Sequence, residues 1–278
     1  MSTEFIIPSP IVSVVWLHKH LNHPNLLVLN TTIPKVTGND SGLNENQIPT
    51  ARFFDLKNKF SDVSAPFPTT FPSEKQFTKE AQAIGINKDS AIVVYDEKGI
   101  YSSPRVWWLF KAFGFNNVAV LDGGFPAWEK VGFQVEKKVE SPIKKGNFEA
   151  KLLPQYMKFF KDIKRESQDS NHLIIDARSK SRFNGLEAEP RAGLRSGNIP
   201  NSVNLPFENL INDQGLFKSE SQIKQLFQPL VQLNQSITFS CGSGITACVL
   251  ALGAELAGYK NLSIYDGSWT EWGSLTND

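Results

Sequence analysis

Ser236-Ile237-Thr238-Phe239-Ser240-Cys241-Gly242-Ser243-Gly244-Ile245-Thr246-Ala247 reads as strand, tight loop and helix start. Ser236 to Ser240 is a short β-prone run, a loop rich in small side chains follows Cys241, and an apolar helical pattern begins near Ala247 and runs to Ala257. Gly242 and Gly244, with Ser243 between them, let the backbone curl so that successive N–H groups point inward, and the helix behind adds its positive end. A sulfur at the rim of such a cup is favoured as an anion, which makes Cys241 the candidate nucleophile. A free cysteine at a strand end is otherwise most often a small buried apolar residue. The Gly-Ser-Gly loop is what turns the reading toward chemistry.

Working outward, the same order of elements occurs twice. In the first half, Leu26 to Asn30, the Ile48-to-Phe54 turn and extension, Ala91 to Asp96 and Val118 to Leu121 read as strands, with a helix through Trp107 and Phe110 that ends at Gly114. The second half repeats this with Leu173 to Asp176, Ile199 to Leu205, Ser236 to Ser240, a helix ending near Gly258, and Leu262 to Tyr265. Both halves close on Asp-Gly and a later Trp, Asp122 to Trp128 and Asp266 to Trp272, and Ser268 and Glu271 have capping-box spacing. Apolar strands alternating with helical stretches give an α/β fold of two tandem domains, each a parallel sheet flanked by helices. The predicted boundaries are 1–140, an exposed lysine-bearing linker over 141–156, and 157–278. Laid on each other, the halves put Asp96 opposite Cys241 and Gly99-Ile100 opposite Gly244-Ile245. The first domain therefore lacks a nucleophile and is expected to supply a wall of the cleft, with the site at the carboxyl ends of the second sheet's strands.

Composition excludes several classes. The 278 residues are 40% hydrophobic and carry 29 basic against 28 acidic residues, a net charge of +1 that gives no field for nucleic acid or an anionic membrane. The two cysteines, Cys241 and Cys248, sit about 10 Å apart if the segment between them is helical, too far to bridge. The four histidines have no ligand spacing, so neither a metal nor a cofactor is expected. No apolar run nears the roughly 20 residues that span a bilayer. Glu4 precedes any basic residue and prolines 8 and 10 interrupt the first apolar stretch, so no targeting segment is predicted and the cytoplasm is the expected location.

With loop and repeat in hand, the chain resembles the two-domain rhodanese-like sulfurtransferases over nearly its whole length, and within them the mercaptopyruvate-using branch. The resemblance is carried by Cys241 to Cys248, by Tyr265 to Trp272, by Ser181-Arg182-Phe183-Asn184-Gly185 with Glu189-Pro190-Arg191, and by Tyr101 to Trp108. It implies transfer of a sulfur atom from 3-mercaptopyruvate, through a persulfide on Cys241, to cyanide or a thiol such as thioredoxin or a small thiol, with no cofactor. It further implies that Arg182 and Arg191 bind the donor's carboxylate and carbonyl, and that Gly242, Ser243, Gly244, Ile245 and Thr246 line the donor site. Positions after the cysteine are cationic in thiosulfate-preferring relatives; Gly242 and Ser243 are neutral, which suits a singly charged donor. Arg105, Arg178 and Arg195 read as structural, with Tyr101 and Arg105 on a segment that borders the cleft.

Two departures stand out. Some mercaptopyruvate enzymes place an aspartate and a histidine in the first-domain loop as a proton relay; those positions fall here on Lys57 and Pro68, and His18, His20, His23 and His172 offer no replacement. Asn198 and Asn201 stand near Ile199-Pro200 where relatives have histidine and glycine. The rival readings are a thiosulfate sulfurtransferase, a persulfide relay protein and a non-catalytic rhodanese-like interaction module. Cys248 reads as a core residue of an apolar helix.

Overall fold

The computed structural model describes residues 5–33, 44–138, 142–231 and 235–277; the expected boundary at 140/141 lies outside them. In chain order the strands are β1 Ile11–Val12, β2 Leu26–Asn30, β3 Asn46–Gln47, β4 Arg52–Phe53, β5 Ala91–Tyr95, β6 Val118–Leu121, β7 Glu136–Lys137, β8 Met157–Lys158, β9 His172–Asp176, β10 Ser202–Asn204, β11 Ser236–Ser240 and β12 Leu262–Tyr265. The helices are α1 Val14–His20, α2 Glu74–Ala83, α3 Ser103–Ala112, α4 Gly124–Val131, α5 Phe160–Glu166, α6 Lys180–Phe183, α7 Glu220–Phe227, α8 Ala247–Leu256 and α9 Ser268–Leu275.

Hydrophobic strands buried on both faces demand helical cover on both sides, and the topology supplies it twice. The first sheet runs β1-β6-β5-β2-β4 and the second β8-β12-β11-β9-β10, all parallel, with the small antiparallel pair β3/β7 apart. Strand for strand the orders coincide, so the internal repeat of the sequence is a repeat of topology. Asp96 and Cys241 each follow the central strand of their own sheet, β5 and β11.

The two units meet helix to helix. Every residue of α8 from Ala247 to Ala254 is buried, and all of α3 except Lys111 is. A helix apolar on all sides needs partners on all sides, and one core cluster accordingly joins Val106, Phe110 and Phe113 of the first unit to Val249, Leu252 and Ile264 of the second. Polar contacts across this seam repeat as well. The Phe71 N–H donates to the Asp266 carboxylate at 2.8 Å, and the Phe217 N–H donates to Asp122 at 2.9 Å. The first of these pairs is joined by an arginine: Arg105, 1% exposed, sets its Nη2 2.6 Å from Asp266 Oδ1.

The connection between the units is largely exposed, as its composition implies, but its backbone is fastened to the first unit. Lys144 and Lys145 are exposed, but Phe148 is in the core and its N–H donates to Ile86 O. Gly146, Lys151 and Leu153 donate to Gln82, Phe113 and Ala112 carbonyls, and a Cβ on Gly146 would run into the Ile86 backbone. A glycine there lets the strap lie flat on the first unit.

Removing one partner of a buried ion pair strands the other charge. Arg105→Ala is therefore expected to lower stability by about 3 to 5 kcal/mol, read as a fall in the denaturant midpoint at unchanged slope; an unmoved midpoint would refute the role given to this pair.

Candidate active site

The Cys241 loop is held by its carbonyls. Cys241 O accepts from Trp269 N at 3.0 Å, Gly242 O from Thr270 N at 3.0 Å and Thr270 Oγ1 at 2.5 Å, Ser243 O from Thr69 Oγ1 at 2.8 Å, and Gly244 O from the Cys248 thiol at 3.3 Å and Arg105 Nη1 at 3.5 Å. Because the C=O and N–H of a peptide unit point in opposite directions, carbonyls drawn outward turn the following amides inward. Cys241 itself is 2% exposed, at the foot of this loop.

Ser268 fixes the loop from below. Its hydroxyl accepts from Cys241 N at 3.1 Å and Gly244 N at 3.0 Å and donates to Tyr265 O at 2.9 Å. The capping box expected from Ser268 and Glu271 does not form: Gly267 is the cap residue, Ser268 is the first residue of α9, and its side chain is already engaged by the loop. Its backbone is left-handed, φ 51°, where the first unit has Gly124 at φ 57°. A serine held in a glycine conformation marks a local strain kept for a purpose; here it places one oxygen against two loop amides.

The first unit's loop shows what such a cup holds. Asp96 is fully buried, and its carboxylate accepts from the amides of Lys98, Tyr101, Ser102 and Ser103 at 2.9 to 3.0 Å and from Ser103 Oγ at 2.7 Å. In the repeat these amides correspond to Ser243, Thr246, Ala247 and Cys248 around Cys241. One loop is filled by its own anion; the other presents a sulfur.

Both predicted arginines come to the loop. A Cβ on Gly242 would lie 3.2 Å from Arg182 Nη2 and 3.8 Å from Arg191 Nη1. Arg182 reaches this point from α6, fastened by Glu189, whose two oxygens lie 3.3 Å from Nε and 2.6 Å from Nη2. Glu189 in turn takes Arg178 Nη1 at 2.7 Å, and Arg178 grips the Asp176 carboxylate at the end of β9. Arg191 Nη1 donates to Thr270 Oγ1, the hydroxyl that also holds Gly242 O. Burial pulls the Arg191 guanidinium below its ordinary pKa, opposed by negative charge at Cys241 and reinforced by Arg182. Two partly desolvated guanidinium forks side by side form a receptor for a planar anion. Tyr101, from the first unit, stands within electrostatic reach of Cys241 and both arginines; burial first, and then Cys241, pushes its phenol up.

Arg178 and Arg195 both set their guanidinium groups against the Trp269 ring, at 4.7 and 4.6 Å from its centroid, and Arg178 is bonded to Asp176 and Glu189 while Arg195 is bonded to Thr276. Among the loop residues, Ile245 is buried and Thr246 sits at the cap position of α8 without capping it through its side chain. His18, His20 and His23 stack on aromatic rings near the N-terminus, and His172 lies beside Glu166 and Asp169. Asn198 donates to Phe183 O, a local substitution of hydrogen bonds that leaves the turn intact. Lys57 and Pro68 are exposed and neither meets the loop; the residue that does is their neighbour Thr69. Among the described residues no group of acidic, histidine and cysteine side chains could hold a metal. A cavity of about 480 Å³ opens at the other end of the second sheet between Trp108, Lys158 and Lys260, away from Cys241.

Sequence reasoning missed Thr69, Glu189, Ser268 and Thr270. For Ser268 a signal existed, the serine standing where the repeat has a glycine; the other three act through contacts remote in sequence or along a bent loop.

Comparison with known proteins agrees with this geometry. The Rhodanese-like domain family model matches residues 13–131 and 160–275. The chain is 38% identical over 273 residues to human 3-mercaptopyruvate sulfurtransferase, covering 94% of this chain and 91% of that protein. It is 35% identical over 272 residues to rat thiosulfate sulfurtransferase, with 94% and 91% covered. The crystal structure of SseA from Escherichia coli, a 3-mercaptopyruvate sulfotransferase, superposes with a TM-score of 0.84 at 30% identity, covering 94% of this chain and 99% of that one.

Two outcomes follow from the loop. Ser268→Ala strips two buried amides of their acceptor, which is expected to cost about 1 to 3 kcal/mol of stability and to slow alkylation of Cys241; a variant as stable and as reactive as the parent would contradict the assignment. Burial pushes the Cys248 thiol up from 9.0 to about 12. Folded protein at pH 8 is accordingly expected to take up one iodoacetamide, on Cys241, and the second only after denaturation, as read by peptide mass.

Proposed function

This chain belongs to the rhodanese-like family and is a sulfurtransferase, and we propose that it carries a sulfur atom from 3-mercaptopyruvate to a thiol or to cyanide through a persulfide on Cys241. The observation that supports this most directly is the meeting of two guanidinium groups with the nucleophile's loop at Gly242. An α-keto acid seated on Arg182 and Arg191 brings its C3 thiol toward Cys241.

The steps balance without a cofactor. Cys241 thiolate attacks the donor sulfur, the carbon–sulfur bond breaks, and its electron pair becomes the enolate of pyruvate. The enolate takes a proton and leaves. The outer sulfur, carrying the negative charge, is held by inward amides that need no reorganisation as charge moves onto it. An acceptor thiolate or cyanide then attacks that sulfur and returns Cys241 as thiolate, a two-stage cycle with ping-pong kinetics. Among the described residues no histidine or carboxyl is hydrogen-bonded to the loop, so protonation of the enolate is assigned to water, to the Ser243 hydroxyl or to the donor's own thiol proton.

Thiosulfate is the second donor considered, because a rat thiosulfate sulfurtransferase is among the relatives. The neutral side of the loop at Gly242 and Ser243 favours the singly charged donor. A thiol such as thioredoxin or a small thiol is the acceptor proposed, and the cytoplasm the location, both free thiols suiting a reducing compartment.

Mixing the protein with 3-mercaptopyruvate is expected to add one sulfur to Cys241 and release pyruvate, and Cys241→Ser is expected to abolish both while leaving the fold intact. Arg182→Ala or Arg191→Ala is expected to raise KM for mercaptopyruvate by about ten- to a hundredfold, the loss of a charged hydrogen bond, with a smaller effect on the cyanide step. Turnover by the serine variant, or equal loss in both half-reactions, would overturn these roles. Faster persulfide formation from thiosulfate would transfer the donor assignment to it.

A further inference from the structure

We propose that Thr69, a residue of the unit without a nucleophile, is a positioning residue for the Cys241 loop: its hydroxyl clamps the Ser243–Gly244 peptide from across the seam. The turnover part of this inference rests on the sulfurtransferase reading; the geometric part does not.

The Thr69 hydroxyl lies 2.8 Å from Ser243 O and 2.6 Å from its neighbour Pro68 O, so its proton sits between the two carbonyls. The same peptide is held from its other end, where Gly244 N donates to Ser268 Oγ at 3.0 Å. The plane at the crown of the loop is thus pinned by one hydroxyl from each unit. The preceding plane, which carries the Ser243 amide, is held through Gly242 O by Thr270, so Thr69 and Thr270 fix two successive planes at the crown of the loop.

The segment that carries Thr69 is built to deliver it. Thr69 has φ 58°, a left-handed backbone that a β-branched residue avoids unless its surroundings impose it. They do so here: Arg105 Nη2 donates to Thr69 O at 3.1 Å, Asp62 N donates to Thr70 O at 2.9 Å, and Phe71 N donates to Asp266 at 2.8 Å. Arg105 is the arginine that also reaches Gly244 O. One buried cation therefore ties the strained residue, the loop it touches and the Asp266 carboxylate together. Strain maintained at one end of a contact network is the mark of a residue whose exact placement matters more than its local stability.

The test uses the full chain with Thr69→Val, Thr69→Ser and Thr69→Gly. Valine keeps the shape and loses the hydroxyl, glycine loses it while relieving the left-handed backbone, and serine keeps it. The readouts are the rate of Cys241 alkylation by iodoacetamide as a function of pH, and kcat and KM for mercaptopyruvate. Valine and glycine are expected to slow alkylation and lower kcat by about tenfold, the equivalent of one hydrogen bond, to shift the alkylation profile toward alkaline pH and to leave KM within about twofold. Serine is expected to restore all three. Parental alkylation rates in both valine and glycine variants, or serine behaving like valine, would overturn the clamp. Should the parent protein fail to turn over mercaptopyruvate, the donor assignment falls while the alkylation series still decides the role of Thr69.

Discussion

The site depends on which way four peptide planes face. Cys241, Gly242, Ser243 and Gly244 all have their carbonyls engaged from outside the loop, by Trp269, Thr270, Thr69 and Arg105. No basic side chain belongs to the loop itself; Arg191 acts on Cys241 from outside it, and the loop's own contribution is its amides and the end of α8, which serve only if their planes are held. The rest of the molecule can be understood as the means of holding them. The buried helix pair α3/α8 joins the two units, and the Arg105–Asp266 pair ties them at the seam.

The doubled architecture gives an internal comparison that a single domain lacks. In both halves an amide early in the closing helix bonds back to the carbonyl of the loop's first residue, Phe125 to Asp96 and Trp269 to Cys241. What differs is the occupant. A carboxylate that accepts four amides and a hydroxyl is a permanent anion in the first cup. Cys241 holds the same place in its own repeat, after the central strand of the second sheet, so the first cup shows that this turn can hold a negative charge. The first unit then contributes by contact, through Thr69, Tyr101 and Arg105.

Much of this was legible in the sequence because the signals were local. Strand periodicity, the Gly-Ser-Gly loop after β11 and the Asp-Gly endings are all properties of neighbouring residues, and they led to the doubled α/β fold, to Cys241 and to the equivalence of Asp96. Arg182 and Arg191 came from a resemblance and not from spacing. What escaped the sequence was of two kinds. Ser268 and Glu271 satisfied the spacing of a cap, but tertiary contact with the loop won the hydroxyl: it accepts two buried amides, while the first amides of α9 donate to Cys241 O and Gly242 O instead. The linker's composition, rich in lysine and proline, says nothing about whether its backbone finds acceptors on Gln82 and Ile86. Thr69 drew no reading at all; the hydroxyl that meets Ser243 stands next to Pro68, an exposed residue that does not touch the loop.

Charge, finally, supports the choice of donor. Asp176, Arg178, Glu189 and Arg182 form a buried ladder whose charges cancel, and each cation in it is spent on a carboxylate. Arg182 therefore offers direction more than net attraction, and Arg191, bonded to a neutral hydroxyl, leaves this group with a surplus of one positive charge. That surplus balances one negative charge at a time: the thiolate at rest, or a carboxylate partly shared with it on donor binding. A doubly charged donor approaching a thiolate would bring three negative charges to a surplus of one, in surroundings where the loop's side chains are neutral and the local dielectric is low enough for like charges within a few ångströms to repel by kilocalories. A singly charged α-keto acid meets a smaller repulsion, and its planar carboxylate and carbonyl match the two forks that the ladder and Thr270 hold in place.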